Sequence, residues 1–287
     1  MRRIAIDSVA VAQTPQTFSN WAEVLSGMVR GRVGRGPATL SFAVRTGVKI
    51  DCPNAPGAWV PIYEIFANDC YSLDWFLGPM ADRPIQVVDI GGHIGTFACQ
   101  LANLHPQATI RCFEPSPTTA GFLRRNVEQN GLGDRISITE GAVAAKEGYA
   151  DFDDNGGASG TNSLLGAVRT QAFSTAIRVK VLGFDEVMAA ADTPVDFIKM
   201  DCEGAEYDLT YGSSPESWAP VQRLVLEYHE VSGQSWRELR EWFKGVGLEV
   251  VRDKPVNELS GNAWLSRGPI PWGLDYSQPP VETGLPR

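Results

Sequence analysis

The sequence predicts an α/β fold in which helices cover both faces of a doubly wound, mostly parallel sheet of seven strands. Three observations favour this class of fold. Short β-rich segments alternate with segments whose apolar residues have helical spacing. A glycine-rich turn joins the first of these strands to the helix that follows it. Acidic residues come directly after several strands, where open α/β sheets bind their ligands.

The strands are predicted from short runs that are rich in apolar and β-branched residues. Five of them are expected to be parallel, because strands that alternate with helices form parallel sheets. In chain order these five read IQVVDI, ATIRCFEP, ISITEGAV, VDFIKMDCEG and RLVLEYHE. Two more, LEVVRD and NAWLSR, are expected to close the sheet as an antiparallel pair near the C-terminus.

Helices are predicted between these strands. In SPTTAGFLRRNVEQNGL, Ser116 is expected to cap the helix, Pro117 suits its first turn and Gly131 suits its end. The segment TFACQLANLH predicts a buried helix, and SWRELREWFKGVG predicts an amphipathic helix that ends at a glycine. Residues 58–83 carry apolar residues at helical spacing, so one or two helices are expected before the first strand.

The chain is predicted to divide into an N-terminal extension (1–57), a main domain (58–267) and a Pro-rich tail (268–287). The extension is expected to be irregular, apart from a strand or hairpin in ATLSFAVRTGVKI. Residues 144–176 are rich in Gly, Asp, Asn and Ser and follow a strand. Long segments in such a position commonly carry ligand-binding loops.

The composition excludes several classes of function. The formal net charge is −9, from 25 Lys and Arg against 34 Asp and Glu, which argues against a nucleic-acid binder with a broad basic surface. Because no apolar run approaches the roughly 20 residues of a membrane span, no membrane partner is expected. The five cysteines form no CxxC pair, and a reduced, cytoplasmic protein is expected.

The glycine-rich turn is formed by Asp89, Gly91, Gly92, His93 and Gly95. Dinucleotide-binding turns have the pattern Gly-x-Gly-x-x-Gly, and here His93 stands in place of the middle glycine. An acidic residue at the start of the turn is unfavourable beside a pyrophosphate. It suits a ligand with positive charge, such as the amino group and sulfonium of S-adenosylmethionine.

An acidic residue also ends the second strand of the sheet. Glu114 follows Asp89 by 25 residues and precedes Pro115. A carboxylate about 20 residues beyond such a turn commonly binds ribose hydroxyls. The alternative is a surface carboxylate that happens to precede a turn.

The third acid-rich segment is FIKMDCEGAEYDLTYG, which runs from a strand into a helix. It places Lys199, Asp201, Glu203 and Glu206 within eight residues. Alternation along the strand predicts Asp201 and Glu203 over the crevice at the sheet edge. Glu206 has an alternative interpretation as a first-turn acid that interacts with the helix dipole.

Glu227 and His229 end the next strand, and their spacing of two puts both on one face. Histidine is a candidate general base because its ordinary pKa is near 6.5. The alternative is an edge histidine that is bonded to Glu227 or Glu230.

These segments together resemble the FkbM family of S-adenosylmethionine-dependent methyltransferases. The resemblance is carried by VVDIGGHIGTFA, CFEPSPTTAGFLRRNVEQNGL and FIKMDCEGAEYDLTYG and covers roughly residues 60–267. The spacing Lys-x-Asp-x-Glu-Gly-x-Glu is its most specific part. At His93 the family more often has asparagine. The resemblance implies the Rossmann-like fold of class I methyltransferases, with S-adenosylmethionine as cofactor.

The resemblance also implies a set of cofactor-binding residues along the strand ends. The methionine part is expected on the glycine turn, the ribose on Glu114 and the adenine against Ala142. The full set comprises Glu64, Tyr71, Asp89, Gly91, Gly92, His93, Gly95, Glu114, Pro115, Ser116, Ala142 and Asp201.

For the methyl transfer itself, His229 is the first candidate for general base, with Glu203 and Glu227 as alternatives. Asp201 is expected near the methionine ammonium or the acceptor. A second, less favoured mechanism places a magnesium ion on Asp201, Glu203 and Glu227, because magnesium prefers oxygen ligands.

The expected activity is O-methylation of a hydroxyl on a small molecule, either a specialised metabolite or a glycan. Methylation of nitrogen or of a peptide is the alternative within enzymes. The alternative outside enzymes is a cofactor-binding assembly partner without turnover. A small-molecule acceptor is the expected partner, no nucleic acid is expected, and a homodimer is left open.

Overall fold

The computed structural model describes residues 8–55, 57–154, 163–164, 175–191, 193–202, 204–229, 231–257 and 260–270. The strands are, in chain order, β1 Thr39–Ala43, β2 Lys49–Pro53, β3 Ile85–Ile90, β4 Ala108–Glu114, β5 Ile136–Glu140, β6 Ala142–Ala144, β7 Gly148–Asp154, β8 Ser163–Leu164, β9 Thr175–Gly183, β10 Phe197–Met200, β11 Arg223–His229, β12 Glu249–Pro255 and β13 Ser260–Ser266. The α-helices are α1 Ser8–Thr17, α2 Trp21–Arg32, α3 Val60–Phe66, α4 Leu73–Leu77, α5 Thr96–Leu104, α6 Pro117–Gln129, α7 Phe184–Ala189, α8 Glu206–Gly212 and α9 Trp236–Gly245, and the 3-10 helices are Gly78–Asp82 and Pro215–Trp218.

The central sheet has seven strands in the order β12-β13-β11-β10-β3-β4-β5. Strands β3, β4, β5, β10 and β11 are parallel to one another, and β13 and β12 are antiparallel. This confirms the predicted doubly wound, mostly parallel sheet with an antiparallel C-terminal pair. The parallel strands bring their carboxyl ends to one edge of the sheet, and the sequence-predicted site residues follow those ends.

Helices cover both faces of this sheet. Val87 and Val88 are neighbours on β3, yet they belong to different apolar clusters because successive side chains of a strand point to opposite faces. One cluster includes Leu123 of α6, and the other includes Leu239 of α9. Every residue of β10 is buried, which is typical of a parallel strand between two helical layers.

The N-terminal segment contains the predicted hairpin, formed by β1 and β2, but also two helices that the sequence analysis missed. The glycines of GMVRGRVGRGP indicated an irregular segment, whereas Gly27 lies inside α2. A Cβ atom at Gly27 would lie 2.5 Å from Leu40 on β1. This glycine therefore permits a close helix–hairpin contact and does not mark a turn.

The hairpin is attached to α6 by two asparagine side chains. Asn126 accepts from the Asp51 amide at 2.8 Å and donates to its carbonyl at 3.0 Å, and Asn130 makes the same pair of bonds with Lys49. Phe42 of the hairpin lies in the same apolar cluster as residues of the central sheet. The predicted boundary at residues 57–58 remains a prediction.

The predicted loop over residues 144–176 contains strands of a second sheet, with the order β6-β9-β7-β8. The glycine- and serine-rich composition concealed β7, whose Phe152 is buried. The predicted strand ISITEGAV is divided into β5 and β6 at Gly141, where a Cβ atom would lie 2.7 Å from Leu182. The predictions for residues 155–162 and 165–174, and for most of the tail, lie outside the described residues.

The predicted start of α6 at Ser116 is confirmed. The hydroxyl of Ser116 accepts from the Thr119 amide at 3.3 Å at the start of α6.

Within the described ranges, no helix is both long enough and apolar enough to cross a membrane.

A second cap gives a simple test of local stability. Ser235 accepts from the Glu238 amide at 3.3 Å at the start of α9. Since the loss of a serine cap costs about 1 kcal/mol, Ser235→Ala should lower the free energy of unfolding by about that amount. Denaturant unfolding followed by circular dichroism measures the change. Ser232→Ala, in the exposed turn before this helix, is the control and should have little effect.

Candidate active site

The glycine turn lies between β3 and α5, at the carboxyl edge of the sheet. The amides of Gly91 and Gly92 donate to the Phe113 carbonyl of β4 at 3.0 and 2.9 Å. Gly91 has φ +80°, and a Cβ atom there would lie 1.9 Å from the Asp201 carbonyl oxygen. Only glycine allows the turn to pack this closely against the segment after β10.

Asp89 lies beneath this turn and has no exposed surface. The register of the sheet places it beside Lys199 on β10 and Cys112 on β4. Its carboxylate is 3.4 Å from the Lys199 ammonium and 3.6 Å from the Cys112 thiol. Burial raises the pKa of Asp89, and the nearby Lys199 opposes that shift. Direct contact between Asp89 and a ligand remains a prediction.

Lys199 connects three parts of the site, a role that sequence reasoning did not assign. Besides Asp89, its ammonium donates to the Gly91 carbonyl at 2.7 Å and lies 3.6 Å from the Asp201 carboxylate. Burial alone lowers the pKa of Lys199, but the charges of Asp89 and Asp201 raise it more. Lys199 therefore remains charged, and its hydrogen bond to the Gly91 carbonyl stabilises the glycine turn.

Glu114 is buried at the end of β4, as expected of a ligand-binding carboxylate and not of a surface one. Its two oxygens accept from the amides of Ser116 and His93, both at 2.9 Å. Burial raises the pKa of Glu114 to about 7, although these two hydrogen bonds lower it. Ser116 is also buried and donates to Asp154 of β7 at 3.0 Å, while Ala142 is buried at the start of β6.

His93 adopts φ +48°, a conformation in which histidine and asparagine are among the better tolerated non-glycine residues. Its two ring nitrogens have no hydrogen-bond partner within the described part of the chain. Burial and the charge of Lys199 lower the pKa of His93 to about 4. The neutral ring can thus donate one hydrogen bond and accept another.

A second group of side chains lies beside the turn, after β10 and at the end of β11. Asp201, Glu227 and His229 are each only partly exposed. Burial raises the pKa of Glu227 to about 8, Asp201 and Glu64 add to that shift, and His229 opposes it. The pKa of the buried Tyr71 is raised by burial first and then by Asp201. The structure thus brings together the predicted residues Glu64, Tyr71, Asp201, Glu227 and His229.

Glu64, on α3, is solvent-accessible. Nevertheless, the surrounding protein raises its pKa, and the negative charge of Asp201 adds to the shift. Glu64 lies on a helix that precedes the central sheet in the chain. Its carboxyl group is nevertheless close enough to Asp201, at a strand end, to feel its charge.

His229 contacts two carboxylates. Its Nε2 lies 3.7 Å from Glu227, and its Nδ1 lies 3.3 Å from Glu206. Sequence reasoning named the contact with Glu227 as an alternative but did not anticipate the contact with Glu206. Glu206 lies in the first turn of α8, as its alternative interpretation predicted, but it is also fully buried and contacts His229.

The proposed metal ligands do not form a metal site in the described residues. Glu203 lies outside those residues. Among the residues that are described, no group of three His, Cys, Asp or Glu side chains is arranged to hold a metal ion. The magnesium alternative therefore has no support.

Comparison with protein-family models places this arrangement in a known family. The model described as "Methyltransferase FkbM domain" matches residues 89–250. This range contains the glycine turn, Glu114, Lys199 and the acids after β10 and on β11. The chain belongs to the FkbM methyltransferase family.

This FkbM-family chain is similar, at low identity, to several curated proteins that are named as methyltransferases. Methyltransferase sdnD of Sordaria araneosa is 23% identical over 218 residues, which cover 67% of this chain and 82% of the relative. The 31-O-demethyl-FK506 methyltransferase FkbM of Streptomyces tacrolimicus is 25% identical over 234 residues, 72% of this chain and 88% of the relative. The 2-O-methyltransferase NoeI of Sinorhizobium fredii is 29% identical over 165 residues, 53% and 66% of the two chains.

Among solved structures, the chain is similar to the METTL16 methyltransferase domain in crystal form 2. It is 14% identical, has a TM-score of 0.49 and covers 87% of this chain and 81% of its own. The FkbM-family chain has the sheet of class I methyltransferases, and its family shows that it is an S-adenosylmethionine-dependent methyltransferase.

Proposed function

We propose that this FkbM-family enzyme methylates a hydroxyl oxygen of a small molecule, either a specialised metabolite or a glycan. The observation that carries the proposal is the contact of His229 with Glu227, beside Asp201 and next to the glycine turn. This group provides a proton acceptor at the edge of the sheet where the ligands of such folds bind.

The side chains around the turn fit S-adenosylmethionine. Both oxygens of Glu114 keep acceptor capacity beyond their backbone hydrogen bonds, so this carboxylate can bind two ribose hydroxyls. The ring nitrogens of His93, which have no hydrogen-bond partner among the described residues, lie in the turn, where the polar end of the methionine part is expected. Asp201 is partly exposed, so its carboxylate can attract the methionine ammonium.

Bound S-adenosylmethionine supplies an activated methyl group, so the protein must align the acceptor and accept its proton. His229 receives the hydroxyl proton as the oxygen–carbon bond forms and the sulfur–carbon bond breaks. It then releases that proton to solvent. Glu227, with its pKa near 8, is mostly protonated at neutral pH and can hydrogen-bond to the acceptor.

The charge of the site favours a neutral acceptor that is rich in hydroxyl groups. The charge of Asp201 raises the pKa values of both Glu64 and Glu227, and Glu64 also raises that of Glu227, so the site already disfavours added negative charge. A carboxylate or phosphate acceptor would be repelled, whereas hydroxyl groups donate hydrogen bonds to carboxylates. Two of the relatives, from Streptomyces tacrolimicus and Sinorhizobium fredii, are named for methylation at oxygen, which supports the same conclusion.

The proposal is tested with S-adenosylmethionine that carries a labelled methyl group. The enzyme is incubated with hydroxylated metabolites, oligosaccharides and an extract of its own cells, and labelled products are identified by mass spectrometry and NMR. A labelled methoxy group on a small molecule is the expected product. Label on nitrogen or on a peptide would contradict the proposal, and cofactor binding without any transfer would indicate a non-catalytic protein.

The role of Glu114 can be measured separately. Glu114→Gln should weaken cofactor binding about 10- to 100-fold, because the amide keeps one acceptor oxygen and turns a donor towards a buried backbone amide. Isothermal titration calorimetry with S-adenosylhomocysteine measures the change. Glu140→Gln is the matched control, since Glu140 pairs with Glu114 across the sheet but is exposed and binds Arg124. Equal losses in both variants would contradict the assignment.

The pKa of Glu114 also predicts a dependence of stability on pH. Between pH 4.5 and about 7 the folded protein keeps the Glu114 proton that the unfolded chain releases. The folded state then binds more protons, so this residue makes the cofactor-free protein less stable as the pH rises through that interval. The Glu114→Gln variant should lack this contribution in denaturant unfolding across the same pH range.

A further inference from the structure

We propose that Glu206 is the positioning residue of the methyl-transfer site: it binds the Nδ1–H of His229 and so keeps Nε2 as the proton acceptor. This inference rests on the proposed function, because it assumes that His229 removes the proton of the acceptor hydroxyl. Glu206 itself is not expected to touch either substrate.

The first observation is that Glu206 is fully buried and firmly held. One carboxylate oxygen accepts from the Cys202 amide at 3.1 Å, and the other accepts from the Gly204 amide at 2.9 Å. Gly204 has φ +98°, a conformation that favours glycine, so the turn that presents its amide depends on this residue. The segment between β10 and α8 therefore fixes the carboxylate before any ligand binds.

The second observation is the contact of this carboxylate with His229. Nδ1 of the ring lies 3.3 Å from the oxygen that also binds the Cys202 amide. Both oxygens of Glu206 already accept from backbone amides, so Glu206 is assigned as the acceptor in this contact too, with Nδ1 as the donor. In a neutral imidazole the other nitrogen then has the lone pair, and Nε2 is the nitrogen on the Glu227 side.

The consequence follows from the chemistry of histidine bases. In serine proteases, an aspartate that holds the far nitrogen of the histidine fixes its tautomer, and replacing that aspartate with asparagine lowers kcat about 10⁴-fold. Glu206 contacts Nδ1 of His229 in the corresponding way. It begins α8, which follows β10, whereas His229 ends β11. The alternative is that Glu206 only stabilises the turn between β10 and α8, by accepting from the Cys202 and Gly204 amides.

Two variants and their combination distinguish these roles. Glu206→Gln presents an amide donor or a weaker acceptor to Nδ1, so kcat should fall at least about 100-fold while the affinity for S-adenosylhomocysteine stays close to wild type. If Glu206 acts through His229, the double variant Glu206→Gln/His229→Ala should be no slower than His229→Ala alone. Asp185→Asn is the matched control, because Asp185 is also a helix first-turn acid but binds Ser214 and Ser217.

The outcomes separate the two proposals. If His229→Ala leaves transfer unchanged, the role of His229 as general base is wrong, and the inference about Glu206 is wrong with it. If His229→Ala slows transfer but Glu206→Gln does not, or if the two losses multiply, the inference about Glu206 is wrong.

A measurement on the unmodified protein covers the case in which Glu206→Gln does not fold. The chain has three histidines, so the ¹⁵N signals of His229 can be assigned by their loss in His229→Ala. The Nδ1–H tautomer is the expected result, and a dominant Nε2–H tautomer would overturn the inference.

Discussion

Replacing His229 with alanine should slow methyl transfer about 10²- to 10⁴-fold, the usual contribution of a general base. Cofactor affinity should change little, because the two ring nitrogens of His229 face Glu206 and Glu227. Single-turnover rates with a saturating acceptor measure the chemical step, and titration calorimetry measures cofactor binding.

The control for this variant is another histidine of the same chain. His105 is buried at the end of α5, away from the strand ends, so His105→Ala should cost stability but leave the rate per folded molecule unchanged. A His229→Ala enzyme with the wild-type rate would transfer the role of base to Glu227, whose pKa near 8 suits proton transfer at neutral pH.

The second large effect is expected at Lys199. Lys199→Met should lower the free energy of unfolding by about 3–5 kcal/mol, because it leaves the buried carboxylate of Asp89 without its counter-charge. The same change removes the hydrogen bond to the Gly91 carbonyl, so the glycine turn should lose its support and cofactor affinity should fall too. Denaturant unfolding and calorimetry measure the two losses.

A double variant shows whether the unpaired charge is the cause. Lys199→Met combined with Asp89→Asn removes both charges, and it should recover part of the stability that Lys199→Met loses. Lys180→Met, at an exposed position on β9, is the lysine control and should change stability by less than about 0.5 kcal/mol. If the double variant is less stable than Lys199→Met by the full cost of a second core mutation, the electrostatic explanation fails.

Much of the candidate site could be predicted from the sequence, because parallel strands bring their carboxyl ends to one edge. Asp201, Glu227 and His229 are separated along the chain by up to 28 residues, yet each follows or ends a strand of the same sheet. The glycine turn and Glu114 are recognisable for the same reason. Local spacing and strand order are sufficient for this level of detail.

Pairwise contacts between distant residues could not be predicted in this way. The contact of Lys199 with Asp89 depends on the register between β10 and β3, and register is set by packing across the whole sheet. The contact of Glu206 with His229 depends on how the turn after β10 is closed at Gly204. Composition was misleading at Gly27, where a glycine allows close packing inside a helix.

The attachment of the N-terminal hairpin to α6 affects how the chain acquires its structure during synthesis. Asp51 binds Asn126 and Lys49 binds Asn130, which are 75 and 81 residues later. At about 5–20 residues per second, a ribosome needs about 4–16 s to produce those partners. An isolated two-stranded hairpin is at best marginally stable in water. Until α6 has emerged, the hairpin therefore depends on α1 and α2 and the chain that joins them, where Phe18 packs against Phe42 and Gly27 against Leu40.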